Sequence, residues 1–80
     1  MSEYHQHVGR RVELRQKRKS LEITAGSHLE SLRLALDILA DPGDLDAEKI
    51  ISLAAVLAER ITDIQEIDAQ LAAISKAIGH

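Results

Sequence analysis

From residue 50 onward, apolar side chains recur at every seventh position. Ile50, Leu57, Ile64, Leu71 and Ile78 form one row, and Leu53, Ile67 and Ile74 lie on a second row offset by three. Only Arg60 breaks the second row, so eight of nine seam positions are apolar. Alternating steps of three and four keep one stripe of an α-helix turned toward a neighbour. The pattern therefore predicts a single long amphipathic helix over about 46–78, roughly 50 Å long at 1.5 Å per residue. Asp46 suits its N-cap, Glu48 places an acid at the positive end of the helix dipole, and Leu45 and Ile50 occupy staple positions. Gly79 follows the last seam residue, where helices commonly end.

Upstream stands a turn sequence, Asp41-Pro42-Gly43-Asp44. Proline fixes its own φ and disfavours helix at Asp41, and glycine tolerates a positive φ. Before it, Leu29, Leu32, Leu34, Ala35, Leu36, Ile38 and Leu39 leave only Glu30, Arg33 and Asp37 as a polar stripe. A helix so apolar needs more than one neighbour. Val8, Val12, Leu14, Leu21, Ile23 and Ala25 continue a thinner stripe, interrupted by 15–20, which holds no apolar residue. Gly26 followed by Ser27 and Glu30 reads either as an interior glycine or as a stop and a new capping box. Helix one is thus expected over about 3–40, continuous, kinked or broken near Gly26, with the turn over 41–45. The fold class is all-α, an antiparallel helical hairpin forming a single domain over 1–80. Two helices alone enclose no interior, and Ile51, Ala54, Ala55, Ala58, Ala69, Ala72 and Ala73 offer a second close-packing surface. The expected consequence is a homodimer, two hairpins making a four-helix bundle.

Composition agrees with a helical core shared between chains. Tyr4 is the one aromatic residue, and the 45% apolar content comes almost wholly from Ala, Leu, Ile and Val. No cysteine is present, which excludes disulfides, Cys-zinc sites and thiol nucleophiles. No apolar run approaches the ~18 residues of a spanning helix, and the start MSEYHQHVGRR is unlike a signal peptide. A cytoplasmic protein without membrane insertion is expected.

Charge alters this bland picture. Residues 1–20 hold six Lys and Arg against two acids, and residues 21–80 hold four against eleven. The basic set is Arg10, Arg11, Arg15, Lys17, Arg18 and Lys19. Clustered cations bind phosphates or an acidic partner. In a hairpin turning near 42–43, however, residue n faces residue 85 − n, which sets Arg15, Lys17 and Arg18 opposite Asp63, Glu66 and Asp68. No aromatic residue interleaves with the cations, so no base-stacking platform exists.

Other candidates carry less. His5, His7 and His80 with Glu3 would meet at the open end of a hairpin, yet His-x-His on a helix points its rings about 200° apart. No metal site and no cofactor are expected. His28 falls on the apolar side of helix one, as a hydrogen-bonded, partly buried histidine does. Glu59, Asp63 and Glu66 read as a wet stripe, and no nucleophile or phosphate-loop motif is present, so no catalytic residue is assigned. Arg60, alone in the seam, is the residue expected to fix register by snorkelling or by pairing with an acid of a neighbouring helix.

The segment Leu39-Ala40-Asp41-Pro42-Gly43-Asp44 is similar to the turn of type III secretion needle subunits, which are small helical hairpins. The likeness covers that segment alone. The tryptophan usual near the start of that family is missing, the amino-terminal part is basic, and the seam of helix two is more regular. The chain is not assigned to it. The functional expectation is a non-enzymatic adaptor or structural subunit with a protein partner. It would self-associate through Leu32, Leu36, Leu39, Leu53, Leu57, Arg60, Ile61, Ile64 and Leu71. The alternative is a nucleic-acid-binding accessory protein using the basic set.

Overall fold

The computed structural model describes residues 3–79 and consists of two long helices packed against each other. Helix α1 spans Glu3–Ala35, a 3-10 turn covers Pro42–Asp44, and α2 spans Ala47–Ala77. The result is a rod of 61 × 18 × 15 Å with no strand among the described residues. An all-α antiparallel hairpin is what the heptad pattern and the turn predict.

Helix α2 forms as its sequence dictates. The Asp46 carboxylate accepts from the Lys49 backbone N–H at 3.0 Å and satisfies one of the donors left free at a helix start. At the far end the Ile78 N–H donates to the Ile74 carbonyl at 3.0 Å, and Gly79 takes a φ of 77°, a conformation that costs glycine nothing. All nine predicted seam positions of α2 are buried or half-buried.

Helix α1 is continuous through Gly26 and ends at Ala35, five residues before the expected limit. Two local effects stop it. The Pro42 ring excludes a helical carbonyl four residues earlier, at Ile38. The Asp37 carboxylate also accepts from the Leu39 N–H at 2.9 Å, giving the chain an alternative to the helical ladder. Leu39, expected on a helix face, therefore sits in the connection beside Ile38, and the two are 90% and 94% exposed. Gly43 makes no use of its conformational freedom, because Gly79 is the one described glycine with positive φ. The turn is held instead by the Asp41 carboxylate, which accepts from the Gly43 N–H at 2.9 Å.

The α1 face turned toward α2 follows the same period through nine positions, His7, Arg11, Leu14, Arg18, Leu21, Ala25, His28, Leu32 and Ala35, all buried or half-buried, with Val8 and Ser31 half-buried at its edges. Four of these nine are polar, so the seam is apolar mainly on the α2 side. Leu14 at 2% exposure, Ile67 at 4% and Ile74 at 8% are the buried residues, with Leu21, Leu71 and Ile78 packed against them. The core thus lies toward the open end of the hairpin, away from the turn.

Candidate interaction surface

The two flanks of this seam differ in chemistry. On one side Arg10 Nη2 donates to Gln70 Oε1 at 3.2 Å. A groove of 270 Å³ follows, floored by Leu21 and Ile67 and edged by Lys17, Arg60, Asp63, Glu66 and Gln70. Serines and threonine of α1, at 20, 24, 27 and 31, continue this side toward the turn. It is a polar flank.

The other flank is marked by Arg18, whose guanidinium forks onto Asp68. Nε lies 2.5 Å from Oδ1 and Nη2 lies 3.2 Å from Oδ2, and Nη1 also bonds Glu22. Toward the turn this flank becomes apolar. Gly26, Leu29 and Leu36 of α1 stand beside Ile51, Ala54, Ala58 and Ile61 of α2, all exposed, with Arg33 the one charge in that stretch. Ile38 and Leu39 add to it at the tip. Six of the large apolar side chains left exposed among the described residues lie on this flank and its tip, Leu29, Leu36, Ile38, Leu39, Ile51 and Ile61, whereas Leu34 and Val56 lie on the opposite side. Scattered apolar residues are normal on a surface, but a contiguous patch marks a contact site.

The residues expected to drive self-association divide accordingly. Leu32, Leu53, Leu57, Ile64 and Leu71 are half-buried in the hairpin's own seam. Leu36, Leu39 and Ile61 remain exposed. Arg60 occupies the seam as expected, yet its guanidinium reaches Glu59 at 3.3 Å and Asp63 at 3.5 Å on its own helix, and its Nε is buried without a partner. No cross-helix ion pair ties Arg60 to a register. That task falls to Arg18 and Asp68, a pair whose sequence positions lie within one residue of the expected facing relation.

Of the basic set, Arg18 and Arg10 are engaged, Arg10 also with Glu13 at 3.4 Å. Arg11, Arg15, Lys17 and Lys19 make no ion pair among the described residues, although Lys17 borders the groove that contains Asp63 and Glu66. The hydrogen bond from Arg18 holds the Asp68 carboxyl below the usual carboxylate range, opposed by partial burial and aided by the arginine's charge. The same bond raises Arg18 above its already high value. Because the folded-state value of Asp68 is the depressed one, its stabilisation is present above the unfolded value near ~3.9 and is lost as pH falls through the folded one. Asp68→Asn is therefore expected to melt below the parent protein at neutral pH, the gap closing below about pH 4. Circular dichroism melts at both pH values check this, and a gap that widens in acid contradicts it.

The remaining candidates resolve simply. No group of three potential metal ligands occurs among the described residues, and His80 lies outside them. His5 stacks edge-on against Tyr4 at 5.8 Å. His28 is half-buried on the seam face of α1. A depression of 350 Å³ on α2 is lined by Ala55, Ala58, Glu59, Arg60, Thr62 and Asp63, and the Thr62 hydroxyl there already donates to the Ala58 carbonyl at 3.0 Å. No described helix is long and apolar enough to cross a membrane. The sequence pattern marks the α2 side of this flank through Ile51, Ala54 and Ala58, but not its α1 side, Gly26, Leu29 and Leu36, which is defined only once the seam of α1 is known. No protein-family model, curated protein or solved structure matches the chain.

Proposed function

We propose that this protein is a non-enzymatic helical interaction module, an adaptor or structural subunit, that self-associates through its apolar flank. The observation that carries this reading is the contrast between three buried side chains and an exposed row of Leu29, Leu36, Ile51 and Ile61 on one side of the hairpin. A hairpin of 8.8 kDa gains its missing interior by covering that row with another such surface, as a four-helix bundle does. Fully burying an exposed Leu or Ile contributes about 1.5–3 kcal/mol. At 37%, 43%, 68% and 44% exposure, Leu29, Leu36, Ile51 and Ile61 contribute roughly half of that each, about 6–12 kcal/mol over two copies against an association cost of about 4–15 kcal/mol.

Sedimentation equilibrium tests it. The parent chain is expected at twice its monomer mass, and Ile51→Asp with Ile61→Asp is expected at monomer mass. Leu34→Asp, on the polar flank, is expected to leave the dimer intact. A monomeric parent, or a dimer indifferent to Ile51 and Ile61, would sink the reading. The second reading, binding of a nucleic acid, is favoured by the four unpaired cations Arg11, Arg15, Lys17 and Lys19. It requires salt-sensitive binding of duplex DNA, seen by fluorescence anisotropy and lost on Arg15→Ala with Lys19→Ala.

A further inference from the structure

The self-association read above leaves open how two rods align, and the charge along the apolar flank differs between its ends. Residues 37–48 hold five acids, Asp37, Asp41, Asp44, Asp46 and Glu48, and no Lys or Arg. The acids Asp37, Asp41 and Asp46 already accept backbone N–H bonds that hold them at the tip. Near the open end, the row that continues Leu29 and Gly26 runs through Glu22, which Arg18 bonds, and then through Lys19, Arg15, Val12 and Val8. Arg15 and Lys19 are exposed and make no ion pair among the described residues, and Val12 between them and the open end is exposed too. One end of the flank is thus acidic and apolar, the other basic and apolar.

We infer that the occupant of this flank is a second copy of the chain in antiparallel orientation, its acidic tip seated on the partner copy's Arg15 and Lys19. The inference rests on the self-association reading and adds its geometry. Gly26 and Leu29, at the open-end edge of the apolar stretch, lie midway in sequence between Arg15 and Asp41. From that point Arg15 lies roughly 20 Å toward the open end and Ala35 roughly 11 Å toward the turn, at 1.5 Å per residue, with Asp41 beyond Ala35 at the tip. A two-fold axis through that point, perpendicular to the rod, therefore superposes each tip on the other copy's cations. It also lays Gly26 and Leu29 of one copy on Leu29 and Gly26 of the other.

The alternative two-fold, parallel to the rod, brings the two acidic tips side by side. Ten carboxylates would then crowd one end, and like charges across an interface oppose association. The antiparallel overlap is about 40 Å long on a face 18 Å wide, on the order of 700 Å² per copy, close to the ~800 Å² per partner of a standard interface. A bare Gly26 at the crossing point lets the two α1 helices approach closely.

The absence of native cysteine makes the test direct. Gly43→Cys places a spin label at the tip, where an added Cβ meets only Asp41 Oδ1 at an ordinary 3.5 Å. Electron double resonance on the labelled dimer is expected to give a tip-to-tip distance of about 40 Å, twice the ~20 Å from the crossing point. Arg15→Glu with Lys19→Glu is expected to weaken the dimer at least tenfold at low salt, and raising salt is expected to weaken the parent dimer. A dimer whose tips lie within about 20 Å of each other, or whose affinity ignores both the charge reversal and salt, overturns the antiparallel arrangement and leaves self-association standing. A parent chain that sediments as a monomer overturns both. Growth into open chains overturns the closed two-fold, since tip-on-flank contacts would then run head to tail.

Discussion

Leu14→Ala is expected to lower the unfolding midpoint more than truncation of any other α1 side chain. Leu14 is the least exposed residue described, at 2%, and it closes the cluster made by Ile67 and Ile74 from the opposite helix. Removing a buried leucine side chain costs about 2–5 kcal/mol, the transfer term plus the cavity that packed neighbours cannot fill. In a domain of this length each kcal/mol moves the midpoint by about 4–8 °C, so a drop of roughly 10 °C or more is expected. The seam has little to fall back on. Its α1 side offers Leu21, Ala25, Leu32 and Ala35 beyond Leu14, with Val8 half-buried at its edge, the other members being His7, Arg11, Arg18 and His28. Val12→Ala is the matched control, two positions away on the same helix but 49% exposed, and is expected to cost under about 1 kcal/mol. Melts followed by circular dichroism at one fixed protein concentration separate the two, because association would make the midpoint concentration-dependent. Equal shifts for both variants would show that the cluster around Leu14 is not the core.

The uneven seam also explains which parts of this fold are legible in the sequence. Helix α2 declares its inner face because Ile and Leu hold a seven-residue period broken at Arg60 alone, and Asp46 and Gly79 mark its ends. The inner face of α1 is hidden. Val12, Ile23, Leu29 and Leu34 draw the eye to other sides of that helix, and all four are exposed. The signal was present in another form: carrying the three-four spacing of α2 onto α1 through Leu14 and Leu21 selects the observed row, polar members included. The early end of α1 was masked by its apolar run. Leu36, Ile38 and Leu39 have the composition of a helix, yet the Asp37 side chain and the distant reach of the Pro42 ring decide the backbone. The α2 half of the apolar flank is legible in Ile51, Ala54 and Ala58 beside the seam, but its α1 half is not, since a flank is defined only relative to the face that packs. Facing charges were readable earlier, because antiparallel geometry fixes which positions meet: Arg18 and Asp68 pair as that geometry requires, and Lys17 stands beside Asp63 and Glu66 without bonding them.

Gly9→Ala and Gly26→Ala are each expected to stabilise the protein by about 1 kcal/mol, and together to raise the midpoint by roughly 10 °C. Both glycines lie inside the 33-residue α1, where glycine loses more backbone entropy on folding than alanine and gains nothing from its freedom. Neither has a steric reason to be bare within its own chain, for a Cβ built at either position meets no atom within 4 Å. Gly79→Ala provides the opposite sign, since at a φ of 77° a side chain is strained. The two interior glycines differ in one respect. Gly9 lies off the apolar flank, whereas Gly26 lies on it, at the crossing point of the proposed antiparallel dimer. Gly9→Ala should therefore stabilise the fold at any protein concentration. Gly26→Ala should match it in dilute solution and fall behind as concentration rises, because its methyl group then meets the second copy. Melts of the two variants across a hundredfold concentration series measure that divergence. Parallel curves throughout would mean that no helix approaches Gly26 closely, and would move the crossing point elsewhere on the flank.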